Sequence, residues 1–318
     1  MPAVKKAVFF FCPDEGIDPV APGVFEEVRK LFRPEETGIS MDDFPVLAAA
    51  DSQGNKLHFV RTKKVVCHDY ARYLPDMVRH FGSFHMAGLV TWHEGDNAPD
   101  GILSVHTTGD VDSGHFGKAE PLYMRNLLLA LENRREELGL VRFKTVTEAT
   151  HWSGMIYGGG CPERISAFPV PIVDIEIGST TASWSDRTAR KALASSLGDV
   201  FQSDGKKLLN ILCVGGVHFE SAFSGAAMQA WGEKAFGVSH ILANQWLVSG
   251  GYEGEEGLRK LAACIASISG GVAGIAFHDN LKGPLKGQLR RTARDLSIPA
   301  FKHQLLRRPG DIPFGGEA

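Results

Sequence analysis

Four of the chain's histidines stand at one kind of place. His93, His106, His151 and His218 each close or closely follow a short apolar or β-branched run: Gly88–Trp92, Ile102–Val105, Thr145–Glu148 and Ile211–Val214. Imidazole changes charge near neutral pH, so it can relay a proton, bind a phosphate or ligate a metal. A single histidine is more often structural than functional. Four at equivalent strand ends point to one shared rim, because ligands of open α/β sheets collect beyond the carboxyl ends of the strands. The residues around them add chemistry. His106-Thr107-Thr108-Gly109 offers an imidazole, two hydroxyls and a backbone that can approach a ligand, or else a capped turn. Glu148 lies three residues before His151 and is able to orient an imidazole. On one strand the two would face opposite sides, so their pairing needs the chain to turn after Ala149. Glu176 ends another run, and Ser179 and Thr180 after it would cap a helix or meet an anion. Gly215 and Gly216 form a turn before His218. No P-loop, G-x-G-x-x-G fingerprint or G-x-S-x-G elbow is present.

The elements that would carry these residues alternate. Strand candidates are Ala7–Cys12, Lys56–Arg61, Met86–Trp92, Ile102–His106, Phe143–Glu148, Ile172–Ile177, Leu208–Val214, His240–Ala243 and Val272–Phe277. Helical periodicity falls over Val24–Phe32, Leu122–Leu138, Ala189–Val200 and Leu258–Ile268. This alternation predicts an α/β fold with a mostly parallel central sheet and helices on both faces. We read one α/β unit, divisible into an N-terminal part, 1–100, and a core, 101–318, that carries a basic tract. Gly154–Pro171, with Gly158-Gly159-Gly160, is the best loop candidate.

Of the 318 residues, 43% are hydrophobic and 22% charged, which is ordinary globular composition. The net charge of -3 excludes a globally basic nucleic-acid binder. It leaves room for a local patch. Lys282 to Arg308 holds eight Lys and Arg against Asp295 alone, and Lys282, Lys286, Arg290 and Arg294 are spaced to share a helical face. Such a face is either simply solvated or a tract for a phosphodiester backbone. No apolar run approaches the ~20 residues that span a bilayer, so no membrane role is expected. The apolar start, Ala7–Cys12, is too short for a secretory leader and reads as a buried first strand. The five cysteines are scattered without a C-x-x-C, as expected of reduced thiols in a cytoplasmic protein.

Taken in order, Ile102–Gly109, Glu148-Ala149-Thr150-His151, Glu176–Thr180, Gly215–Phe219 and Lys282–Gly287 resemble the archaeal and plant type of D-aminoacyl-tRNA deacylase. The resemblance covers about Met86 to Arg294. It implies a core related to peptidyl-tRNA hydrolase and phosphorylase-like folds. It also implies hydrolysis of the ester joining a D-amino acid to tRNA, and an association with zinc. On that footing His106 and His151 activate water, directly or through zinc, with Glu148 as orienter. His106, His151 and His218 would be the metal ligands. His218 with the Gly215-Gly216 backbone would stabilise the oxyanion or hold the terminal adenosine. His93, Thr107, Thr108 and Gly109 would contact substrate, with the two threonines on the amine or the ribose. Glu176 would accept from the amine. Ser179, Thr180, Lys282 and Lys286 would meet phosphates. The chain departs from the family pattern at Trp92, Trp152 and Val217. Two alternatives stay open: an acyl hydrolase or transferase for a small metabolite, with Trp92 and Trp152 narrowing the pocket, and a non-catalytic tRNA-binding relative. A monomer or dimer is expected, with no particular protein partner.

Overall fold

A computed structural model describes residues 3–95, 98–155, 157, 158 and 160–314. Gly159 of the predicted loop lies outside the described residues. The expected mostly parallel sheet with helices on both faces is present, but it comes as two sheets. The larger has the order β2–β3–β4–β1–β5–β10–β6–β9. Its strands are β1 (Lys6–Phe11), β2 (Glu35–Met41), β3 (Phe44–Ala50), β4 (Lys56–Arg61), β5 (Met86–His93), β6 (Gly101–Thr107), β9 (Lys144–Thr147) and β10 (Ile172–Ser179). Between β6 and β9 a short hairpin, β7 (Gly109–Asp110) and β8 (His115–Phe116), stands apart. The second sheet has the order β12–β13–β11–β14–β15, from β11 (Lys207–Val214), β12 (Ala230–Trp231), β13 (Lys234–Leu242), β14 (Gly274–Phe277) and β15 (Ala300–Lys302). Within these two sheets, among the described residues, β2–β3, β3–β4, β10–β6 and β12–β13 pair antiparallel and the other pairs are parallel.

The helices are α1 (Ala21–Phe32), α2 (Tyr70–Phe81), α3 (Pro121–Glu137), α4 (Thr181–Trp184), α5 (Arg187–Ser196), α6 (Ser221–Met228), α7 (Asn244–Ser249), α8 (Glu255–Ser267) and α9 (Gly283–Asp295). Burial on both faces explains the unbroken apolar run of β1. Ala7, Phe9 and Phe11 join the core under α1, α3 and α5, which continues into the second sheet through Ile211, Phe236 and Val238. Val8 and Phe10 point the other way, towards Met77 and Phe81 of α2. Beyond the second sheet, Leu261 of α8 and Leu285 and Leu289 of α9 cover Leu212, Val214 and Ile275. No helix among the described residues is long and apolar enough to cross a membrane. The free cysteines are buried except Cys161.

Candidate active site

Sheet register builds the site floor. In the antiparallel pair β6–β10, His106 stands opposite Asp174, and Glu176 is two residues further along. Opposed residues share a face and so do residues two apart, so both carboxylates reach the imidazole. His106 Nε2 lies 3.4 Å from Glu176 Oε1 and 3.6 Å from Asp174 Oδ2, while Nδ1 donates to the Thr107 carbonyl at 3.2 Å. His93 closes β5, the other neighbour of β10.

The remaining parts arrive through turns. β9 ends at Thr147, and the chain leaves strand geometry before His151 makes a bridge with Thr108. That departure brings Glu148 and His151 to the same side, as their pairing required. Ala149 N donates to the His218 carbonyl at 2.9 Å, which joins this turn to the one that follows β11. There Gly215 and Gly216 have φ of 90° and 77°. Side chains rarely adopt that left-handed region. A Cβ would also meet Leu281 at the first and Glu220 at the second.

Five side chains, His93, His106, Glu148, His151 and His218, thus converge. Glu148 is fully buried, and its Oε2 accepts from His218 Nε2 at 2.8 Å and lies 3.4 Å from His93 Nε2. His151 donates Nδ1–H to the Ala149 carbonyl at 2.9 Å, which leaves Nε2 as its basic nitrogen. It stacks on His106, with centroids 3.9 Å apart, and on Trp246 of α7 at 6.0 Å. Above them is a cleft of about 150 Å³ lined by His93, His151, His218 and Glu176, with Trp92, Tyr157 and Trp246 as aromatic walls. A roomier cavity of about 550 Å³, between α1 and α5, contains none of these histidines.

Electrostatics separates the roles. Burial opposes a charge on His106, but Asp174 and Glu176 outweigh it and raise the imidazole to about 10. Burial would neutralise Glu148, yet the His218 hydrogen bond and the charges of His93 and His106 hold it well below the usual carboxylate range. Burial, with His106 and His218 beside it, pushes His151 well down. Burial also lowers His93. It raises Asp174 to about 6 and, with Glu148 nearby, Glu176 to about 8.

Several expectations need correction. His106 is sealed beneath the cleft, and Asp174 and Glu176 favour its protonated form, which speaks against it as the general base. Thr107 and Thr108 are buried in protein hydrogen bonds, to Thr150 and His240 and to Asp174 respectively, and neither is free for an amine or ribose. The N–H groups of Gly215 and Gly216 are taken by the Leu242 carbonyl and Asn280 Oδ1, so they form no oxyanion hole. Gly109 holds the His151 carbonyl through its N–H. Ser179 Oγ bonds His93 Nδ1 at 2.9 Å, and Thr180 caps α4. Lys286 gives its Nζ to the Asp279 carbonyl, and exposed Lys282 starts α9; no described contact links either to the histidines. Trp92 does line the cleft, but Trp152 is 3% exposed and packs edge-on against Tyr70, away from it. His106, His151 and His218 do share one cluster. The donor atoms within 4.8 Å of one another nevertheless group as His93–Glu148–His218, His106–Glu148–His151 and His106–Asp174–Glu176. Asp174 was legible, since it is two residues before Glu176 on the same strand face. Trp246 carried no local signal.

A family model described as D-aminoacyl-tRNA deacylase matches residues 80–301. The curated D-aminoacyl-tRNA deacylase of Archaeoglobus fulgidus is 28% identical over 159 residues, 47% of this chain and 51% of that one. The Cenarchaeum symbiosum protein of the same name is 25% identical over 143 residues, 43% and 50% of the two chains. The chain spans about half the length of these relatives. A crystal structure of a conserved protein of unknown function, AF0625, has the same fold, with a TM-score of 0.75 and 18% identity over 98% of this chain and 99% of that one.

Proposed function

Because this chain belongs to the D-aminoacyl-tRNA deacylase family, we propose that its cleft hydrolyses the ester between a D-amino acid and the terminal ribose of tRNA. What carries the reading is the convergence of His93, His151 and His218 on one cleft, around buried Glu148, all inside the matched region. His151 serves as general base. Its Nδ1–H is fixed on a carbonyl, its low basicity keeps it neutral, and Nε2 takes the proton of the attacking water. The same nitrogen returns that proton to the departing ribose oxygen. The His106 cation lies stacked beneath, and Asp174 and Glu176 hold it in place.

Zinc fits this donor set. His93, Glu148 and His218 offer two imidazoles and a carboxylate, the ligand types zinc accepts, and Glu148 Oε1 is buried without a hydrogen-bond partner. His106, engaged with two carboxylates, is the poorer ligand. Bound there, zinc would supply a Lewis-acid charge for the ester carbonyl. A tRNA substrate implies work in the cytoplasm.

The test is release of amino acid from D- and L-tyrosyl-tRNA at two salt concentrations. Turnover of the D ester that weakens with salt is expected. Decay of both esters at the buffer rate would overturn the reading.

A further inference from the structure

Behind the His151–Trp246 stack lies a second cavity, of about 200 Å³, which shares those two side chains as a wall with the cleft. Its lining is of two kinds. Trp152, Met155 and Trp246 are apolar, and Asp110 and Asp112 are acidic. Trp152 is nearly sealed from solvent, yet its indole Nε1 has no hydrogen-bond partner.

The acids are held but not neutralised. Asp110 Oδ2 accepts from Ser113 N at 3.1 Å, and Asp112 Oδ1 accepts from Ser249 Oγ. Neither makes an ion pair with a Lys or Arg among the described residues. Lys260, the nearby cation, spends its Nζ on the carbonyls of Asp112 and Gly250. His115, opposite Asp110 in the β7–β8 hairpin, bonds Ser113 instead. A cavity with two carboxylates that no Lys or Arg ion-pairs among the described residues, and with aromatic walls, suits a ligand that is cationic at one end and apolar at the other.

An aminoacyl ester has one such arm, its α-ammonium and side chain. The other arm is a nucleoside with a phosphate, which the same carboxylates repel. We propose that this cavity receives the amino-acid half of the substrate, with Asp110 as partner of the ammonium and Met155 and Trp246 setting which side chains enter. The scissile carbonyl then sits at the shared wall, beside His151, and the ribose stays in the cleft. The assignment rests on the deacylase reading and fixes the direction in which the substrate lies.

The test uses 3′-deoxy-3′-(D-tyrosylamino)adenosine, an amide stable where the ester is cleaved, and its N-acetyl form. Calorimetry on the full chain is expected to show the free amine bound about tenfold or more tighter than the acetylated one. Asp110→Asn keeps an acceptor for Ser113 N and should bring the two affinities together. Met155→Ala should shift deacylation between D-tyrosyl- and D-alanyl-tRNA. Equal binding of the two forms by the wild type, no binding of either, or an unchanged ratio in Asp110→Asn overturns the proposal. Tighter binding of the free amine by the wild type, lost in Asp110→Asn, together with no ester turnover would sink the deacylase reading and leave the cationic, apolar ligand class of the cavity standing.

Discussion

At Glu148 burial and charge pull in opposite directions. A carboxylate with no exposed surface should pick up a proton, yet a hydrogen bond from His218 and the nearby charges of His93 and His106 keep it ionised. Glutamine in its place would preserve the shape and remove the charge. His106 would lose part of its counter-charge, and His93 and His218 would lose the group that aligns them. Glu148→Gln is therefore expected to slow deacylation about 100-fold or more. On the zinc reading proposed above, the metal content of the purified variant, read by elemental analysis, should drop as well, because the carboxylate would be one of three donors. Full rate together with full metal content would refute both roles, and an unchanged circular dichroism spectrum would show that a loss is local. His106→Gln should behave differently, since that side chain lies beneath the cleft and does not line it: its loss should act through the placement of His151.

At the scale of elements, α1 shows what a buried acid does to a helix start. Asp18 lies before the helix with no exposed surface, and its Oδ1 accepts from Val20 N and Ala21 N at 2.9 Å each. Burial pushes its carboxyl up to about 6, against those two hydrogen bonds. A folded-state value above the unfolded one means the stabilising share is complete below about pH 4 and is lost as pH rises through 6. Asp18→Asn keeps an acceptor oxygen and removes the charge. It should raise stability by about 3 kcal/mol at pH 7 and by nothing at pH 3.5, measured by urea unfolding. A gain equal at both pH values would mean that burial of charge is not the cause. Other elements show where local pattern suffices. Lys56–Arg61 is a strand as its apolar run predicts, and Leu122–Leu138 overlaps α3 almost throughout. Edge strand β2 and its neighbour β3 were not legible: β2 reads Glu-Glu-Thr-Gly, and in β3 Pro45 speaks against a strand although the run around it is apolar. Pro75 likewise obscured α2. The strand-end histidines were legible because each closes or closely follows an apolar run. The saturation of Gly216 N by Asn280 was not, because that contact joins residues 64 apart.

Across the whole molecule, the two sheets are tied together by a buried polar knot. His240 of β13 has no exposed surface; its Nδ1 lies 2.8 Å from Thr107 Oγ1 and 3.1 Å from Thr150 Oγ1, and its Nε2 lies 2.9 Å from Ser267 Oγ. Thr150 N and Oγ1 also hold the backbone of Ile241. The residues that precede His151 are thereby anchored on the second sheet, so the site and the sheet junction share one support. Burial pushes His240 down to about 3. A folded value below the unfolded 6.5 places its stabilising share above pH 6.5 and removes it as pH falls towards 3. The unfolded chain takes a proton there that the fold refuses, and the difference reaches about 5 kcal/mol at most. His240→Gln should retain part of the hydrogen bonding without this liability. At pH 7 it should be less stable than the wild type by about 1–2 kcal/mol, since one imidazole bridges groups that an amide meets imperfectly. At pH 4 the gap should close or reverse. Urea unfolding followed in parallel by tryptophan fluorescence and circular dichroism would measure this and report whether both sheets melt together. A constant gap between pH 7 and pH 4 would rule out His240 as the acid-sensitive joint.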